Sequence, residues 1–516
     1  MGIKRYFADA DTTITNAYKA NMSTRGVSGN MGQSDILEVF SIYSQASSGS
    51  SELERILIKF PVTGTTTNYI SYDRSQENIP GSGSVSFYLR LFNARHSQTV
   101  PKDFNLVVSA VSQSWDEGLG LDMEEYSDEG ATNWITASVD GTTATAWTTE
   151  GGDYYADSSS SFTASFSTGF ENMELNITPL VEQWISSSAN DQTATDLGQK
   201  SNYGVGIQLK SSEESAAQSY YTKKFFARGS QYFFKRPVLE ARWDSSKKDN
   251  RGSFYYSSSM APAADNLNTI YLYNYVRGQL KNIPAIGTGS IYVSAYSGSS
   301  NNASPSGSKL VLSAGGDTVS SDLYNVTGGY VSTGIYSASF ALTGSGSLTR
   351  IFDVWHSGGA ASAANNGTEY FSGAIDPKNL TQTWPGQSFN PNQQYVSKII
   401  NLKSSYSDQN KVARMRLYTR KKDWNPNIYS VASIATPVDL VNDAYYQVTR
   451  VADDLEVIAY GTGSTNHTRL SYDTSGSYFD LDMSLFEPDS TYAIKFIYYL
   501  NGQYAEQPEE FTFRVE

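Results

Sequence analysis

Apolar and polar side chains roughly alternate in three runs near the start of the chain: Glu52 to Pro61, Gly83 to Phe92 and Phe104 to Gly118. A strand points successive side chains to opposite faces, so a period of two predicts strands with one buried and one wet face. Glycine, proline and polar clusters separate the runs, as antiparallel connections require. Ile36-Leu-Glu-Val-Phe-Ser-Ile-Tyr43, Phe162-Thr-Ala-Ser-Phe166 and Tyr203-Gly-Val-Gly-Ile-Gln-Leu209 extend the pattern. The period changes once, in Met173 to Ile185. There a strand runs into Thr178, a suitable N-cap, with Pro179 at the first helical position and Leu180, Val181, Trp184 and Ile185 at helical spacing. Arg236 to Trp243 closes a first unit over residues 1–245.

Lys247 to Gly252 is a polar bridge. Beyond it, Asn268–Val276, Gly289–Tyr296, Lys309–Ser313, Gly334–Leu342 and Leu348–Trp355 read as short strands, with Gly/Ser/Asn-rich turns at 297–308 and 358–367. This regular punctuation predicts an Ig-like sandwich over 246–385. Residues 386–516 form a third unit. Its runs Val396–Leu402 and Lys411–Arg420 alternate, Asn501-Gly502 is a type I′ hairpin signal, and Leu485, Pro488 and Tyr492 match the tyrosine corner of Ig and fibronectin-type sandwiches. The fold class expected is all-β: a jelly-roll sandwich followed by two Ig-like or fibronectin-like sandwiches.

Seven motifs in the first unit occur in a telling order. They are the strand Arg55 to Phe60, the strand Tyr88 to Phe92, the turn Ser114-Trp-Asp-Glu-Gly118, the loop Gly151-Gly-Asp153, Ile177-Thr-Pro-Leu-Val-Glu-Gln-Trp184, Asn202-Tyr-Gly-Val-Gly-Ile207, and Arg236-Pro-Val-Leu-Glu240. Together they resemble the DNRLRE type of β-sandwich domain, a relative of carbohydrate-binding modules, over residues 1–245. The resemblance implies a jelly roll that is accessory to something larger, often at a surface and with a polysaccharide partner. The chain departs from the pattern at 62–82 and 210–235, where it carries additional polar and aromatic residues.

Composition narrows the function. The chain has 516 residues, too many for one core, and a net charge of −14, which argues against a nucleic-acid partner. It has no cysteine, so disulfides and thiolate zinc sites are excluded. The start, Met1-Gly-Ile-Lys-Arg-Tyr-Phe, lacks the apolar region of a signal peptide, and no apolar run long enough to span a membrane occurs. Synthesis in a cytoplasm is the expectation, after which the chain either stays there or leaves without the usual export route, particle assembly followed by lysis being one such exit.

Chemistry is sparse. His96, His356 and His467 are singletons without metal or triad spacing, and no nucleophile elbow or phosphate loop appears, so no enzyme is expected and no cofactor. The acidic run Asp116, Glu117, Asp122, Glu124, Glu125, Asp128 and Glu129 is a solvated loop or a structural calcium site, with Asp116, Glu117 and Asp122 as its ligands and Asp9 and Asp11 as a second pair. The resemblance to the DNRLRE type implies that Trp115 and Trp184 are core plugs. Trp134, Trp147, Tyr154 and Tyr155 are the candidates for stacking on sugar rings. Tyr220, Tyr221, Phe225, Phe226, Phe233 and Phe234 make an aromatic segment that is either a protein interface or a buried edge strand.

The opening Arg5-Tyr-Phe-Ala-Asp-Ala-Asp-Thr-Thr-Ile-Thr-Asn16, the run Asn442-Asp-Ala-Tyr-Tyr-Gln-Val448 and the run Phe496 to Gln503 resemble virion structural proteins of marine, T4-like tailed phages. That resemblance implies a non-enzymatic neck, tail or baseplate component in the virion, present in multiple copies or as a homo-oligomer among other phage structural proteins. The alternative is an adhesin module recognising a host surface glycan. Neither reading involves nucleic acid or membrane insertion.

Overall fold

In the first unit, a four-stranded antiparallel sheet of Ile3–Phe7, Val238–Arg242, Ser86–Leu91 and Met173–Asn176, in that order, faces a larger sheet. A computed structural model of the chain, which describes residues 2–96, 100–187, 200–297, 308–316, 323–342, 348–358, 367–378, 394–407, 412–424 and 438–516, shows this arrangement. The larger sheet runs Tyr220–Phe226, Ile36–Tyr43, Ser51–Lys59, Val205–Leu209, Phe104–Ala110 and Ser161–Phe166, with Ala10–Thr15 also paired to Ser51–Lys59. Inward residues of both sheets, among them Phe87, Leu89, Leu239, Ile56, Ile58, Val108 and Ile207, form one core. The alternation anticipated from the sequence is what places them there. Val238–Arg242 pairs with Ile3–Phe7, so the two ends of the unit lie side by side.

The helix Thr178–Ser187 forms as its period requires and buries Leu180, Val181 and Trp184 against this core. The Thr178 hydroxyl does not cap the helix, because it accepts from the Phe87 amide (2.8 Å) and so ties the helix to the neighbouring strand.

In the second unit, seven antiparallel strands connect around Phe254, Ile270, Val293, Tyr336, Phe340 and Trp355. Within Lys309–Ser313 only Leu312–Ser313 is a strand. The turns within 298–307 and 359–366, and the boundary at 385–386, lie outside the described residues.

In the third unit, a sheet of Tyr395–Ile399, Val412–Lys421, Gly476–Asp482 and Ser471–Asp473 accompanies one built on Ser490–Leu500, Ala444–Arg450, Leu455–Ile458 and Phe511–Val515. Met415, Tyr446, Phe479, Phe496 and Phe513 fill the space between them. The Tyr492 hydroxyl donates to the Glu487 carbonyl (3.0 Å) and accepts from the Glu487 amide (2.7 Å), which is the corner expected from Leu485, Pro488 and Tyr492. Asn501 and Gly502 have φ of +51° and +84° at the turn joining Ser490–Leu500 to Gln503–Glu506.

The first and third units are docked. The four-stranded sheet turns Arg5, Arg90, Glu174, Glu240 and Arg242 outward, yet Arg5, Arg90, Glu240 and Arg242 are buried or nearly so. Arg5 donates to the Leu485 carbonyl (3.4 Å) and to that of Val457, and Arg90 donates to the Glu456 carbonyl (3.4 Å), all in the third unit. Ile3 joins the third unit's core.

Candidate functional site: a polar groove on the larger sheet

After Phe104–Ala110 the chain leaves the sheet and returns only at Ser161. This excursion folds back onto the outer face of the larger sheet and builds a second, smaller core. Ile14 and Leu57 from the sheet meet Val111, Trp115, Trp134, Ala137 and Trp147 from the excursion. The indole N–H of Trp115 donates to the Tyr203 carbonyl (2.7 Å) and that of Trp147 to the Asn133 carbonyl (2.9 Å).

These contacts correct the sequence expectation for two residues. Trp134 is 4% exposed and Trp147 5%, so neither offers a ring face to a sugar. A polar loop of this length holds few other large apolar groups, and the indoles supply the area that fastens it to the sheet. Trp115 and Trp184 are buried, as expected of core plugs.

Tyr154 occupies a different setting. Its ring lies over the backbone of Gly206, where an added Cβ would sit 2.0 Å from the ring. Its hydroxyl donates to the Gly151 carbonyl (2.8 Å). Arg55, an outward residue of Ser51–Lys59, donates to the same carbonyl (2.9 Å) and grips Glu214 with two nitrogens (3.1 and 2.7 Å). The guanidinium stands 5.1 Å from the Trp134 ring and 5.9 Å from that of Tyr154. Gly151 and Gly152 have φ of +88° and +107°, which only glycine adopts without strain, and a side chain on Gly151 would strike Trp134 and Arg55. The Gly-Gly pair thus brings the loop carbonyl onto Arg55.

Beside this ensemble opens a groove of about 680 Å³, lined by Arg55, Gln113, Thr148, Thr149, Asp153, Tyr154, Gln208 and Glu214. The Asp153 carboxylate caps the amides of Thr148 and Thr149 (2.8 and 2.9 Å). Donors and acceptors converge on one aromatic ring, a lining suited to a hydroxylated ligand. Of the four stacking candidates, the groove takes only Tyr154. Tyr155 packs against the main core, with the Lys200 ammonium 4.9 Å from its ring. Arg55, Gln208 and Glu214 were not among the sequence candidates. Gln208 and Glu214 offered no signal beyond an outward polar position or an insertion, which nearly every strand and loop shares, and Arg55 stood out only as the first residue of the motif Arg55 to Phe60.

The acidic loop is committed elsewhere. Asp116 accepts from the Val139 amide (2.9 Å). Glu117 holds Arg228 through two oxygens (2.9 and 2.6 Å) and accepts from the Asp11 amide. Asp122 accepts from the amides of Tyr126, Glu124 and Glu125, which hold its carboxyl below the usual range. Asp11 is buried and accepts from the Arg228 amide (2.6 Å). The expected calcium set of Asp116, Glu117 and Asp122 is therefore not assembled, and among the described residues no group of three or more acidic or histidine side chains is placed to hold a metal ion.

The aromatic segment divides. Tyr220–Phe226 is an edge strand whose register shifts between Tyr220 and Lys223: Phe225 is in the core, Tyr220 packs partly against it, and Tyr221 is 50% exposed. Phe226 meets Tyr232 edge-on, and Phe233 packs on Phe7 at 4.5 Å and on Phe234 at 5.2 Å. Phe233 remains 44% exposed and, with Phe234, borders a notch whose other side is Phe486 and Pro488 of the third unit.

His356 lies 2.8 Å from the Ser294 hydroxyl, a spacing that suits a nucleophile and its base. The direction of the protons is wrong for that role. The Gly358 amide donates to Nδ1, so Nε2 carries the ring proton and donates to Ser294, whose hydroxyl donates on to Asn325 (2.7 Å). Both residues are fully buried. His96 contacts Asn93 (3.2 Å) and His467 contacts Thr465 (2.8 Å).

Among the described residues no helix is long and apolar enough to cross a membrane. No family model and no curated protein matches this chain.

Proposed function

We propose that this chain is a non-enzymatic structural component of a tailed-phage particle, carried in multiple copies at the neck, tail or baseplate, where it joins other structural proteins. The observation that carries the reading is the buried ion-pair sheet between the first and third units. Arg5, Arg90 and Arg242 surround Glu240 there, and Arg5 and Arg90 also hold carbonyls of the third unit. A buried ion-pair network is weak evidence of added stability, and we read this one as fixing the orientation of the two units, which suits a part that must keep its shape in an assembly. The side chains best able to do chemistry, His356 and Ser294, are engaged in holding a sheet. Immunogold electron microscopy on purified particles, with antibody against residues 386–516, tests the proposal. Label at one repeated site supports it. Unlabelled particles in a lysate rich in the protein sink it.

The groove favours a second reading, recognition of a host surface glycan by the same chain. Its support is the convergence of Arg55, Gln113, Asp153 and Gln208 beside the Tyr154 ring. Glycan-dependent retention of particles that is lost on Gln208→Ala and Gln113→Ala is the expected result. Retention unchanged in both variants excludes the groove.

A further inference from the structure

We propose that the cleft between the first and second units is a binding site for a neutral saccharide chain, separate from the Arg55 groove and independent of the particle reading. The cleft is a hollow of about 460 Å³. Its first wall is Arg74, Glu77 and the exit residue Trp243 of the first unit; its second is Tyr271 and Tyr330 of the second unit. Arg74 and Glu77 belong to the segment 62–82, one of the two polar and aromatic insertions of the first unit. That segment forms the short helix Ile70–Ser75, whose end faces the second unit.

Three aromatic rings line one concavity, each half-buried. Part of each residue is open to solvent. Tyr330 is fixed across the cleft, because its hydroxyl donates to Glu77 (2.9 Å). A sugar ring has an apolar C–H face and a polar rim, so it fits a site that offers ring faces and hydrogen-bonding groups together. Junctions between units are also where such concavities recur.

Charge selects the class. Arg74 is taken by both oxygens of Glu182 (2.5 and 2.7 Å), and Asp244 at the rim faces Arg469 (3.4 Å). Glu77 accepts from the Tyr330 hydroxyl, and Lys247 is half-buried. The wall thus carries two cations, Arg74 and Lys247, and two carboxylates, Glu77 and Asp244, of which Arg74 and Asp244 are already ion-paired. Its charges balance, so it has no net excess to attract a uronate, a sulfate or an amine, and neutral hexose units match it.

The test is isothermal titration of the full chain with cellohexaose, maltohexaose and mannohexaose, with hexagalacturonate as the anionic comparison. At least one neutral hexasaccharide is expected to bind, and Trp243→Ala is expected to weaken it by about tenfold or more, as loss of a stacked ring implies. Val331→Arg, on the exposed rim, guards against a folding defect in the Trp243 variant and is expected to block the cleft with the near-UV circular dichroism unchanged. Tyr221→Ala, at an exposed edge-strand position that lines neither hollow, is expected to leave the affinity alone. The proposal is overturned if no neutral hexasaccharide binds at millimolar concentration, if binding survives both Trp243→Ala and Val331→Arg, if Tyr221→Ala abolishes it, or if hexagalacturonate binds more tightly than every neutral chain.

Discussion

Arg5 and Glu240 face each other across the two strands that close the first unit, Nε to Oε2 at 2.7 Å, with both side chains under the third unit. Burial disfavours an ionised Glu240, but Arg90, Arg5 and Arg242 together hold its carboxyl far below the usual range. Replacing it as Glu240→Gln leaves three guanidiniums buried with only Glu174 to answer them. A loss of about 3–5 kcal/mol is expected. Urea unfolding followed by tryptophan fluorescence would show the loss, together with separation of one transition into two as the first and third units uncouple. An unchanged midpoint would contradict the role assigned to the pair.

Buried histidines give the fold an acid-sensitive term. Burial lowers the pKa of His467 and of His356 to about 4, from the ordinary histidine value of about 6.5. The folded state therefore binds fewer protons than the unfolded chain between these values. The stability the two groups contribute is present above about pH 6.5 and is lost as pH falls toward 4. Asp11, raised by burial to about 7, acts in the opposite sense: its contribution is present below its unfolded value and is lost as pH rises through 7. The expected result is that His467→Gln flattens the fall in melting temperature between pH 6.5 and 4, while Asp11→Asn, which removes an opposing contribution over that same window, steepens it.

Lys223 is wholly buried, with its ammonium held by Asn93 Oδ1 (2.5 Å) and by the carbonyls of Gly169 (2.7 Å) and Glu171 (2.9 Å). It fastens the loop before Met173–Asn176 much as a bound cation would. Lys223→Met keeps the stem but strands three oxygens, at about 1–3 kcal/mol for each buried group left unsatisfied. Hydrogen exchange should speed up at residues 167–172 before it does elsewhere.

Trp134→Ala separates a packing role from a binding role. Truncating a buried Trp costs about 3–5 kcal/mol, and here the loss falls on the small core that fastens the excursion. Limited proteolysis within residues 111–157 is therefore expected, with the main core still folded. A variant that resists protease and loses only glycan retention would restore Trp134 to the sugar-binding role.

The all-β fold was legible because it depends on local periodicity. Alternation in Ser51–Lys59 and Ser86–Leu91, the helical interlude at Leu180 to Trp184, the Asn501-Gly502 turn and the Tyr492 corner each follow from backbone geometry that neighbouring residues dictate. The site was not legible in the same way. Whether a tryptophan in a polar loop stacks on a ligand or plugs a core depends on what the loop lands on, and Trp134 and Trp147 land on Leu57 and Ile14, far away in sequence. Carboxylates clustered in sequence were likewise drawn apart, Glu117 to Arg228 and Asp116 to the Val139 amide.

Strand identity, the helix and the turns were set by the sequence itself, since they rest on the periods of hydrophobicity and on left-handed backbone positions. The burial of Arg5, Arg90 and Glu240, the pairing of Arg55 with Tyr154 and the aromatic cleft at Trp243 were decided only by tertiary structure. Each joins residues far apart in the chain, and an outward-facing polar side chain on a strand looks the same whether water or another folded unit covers it.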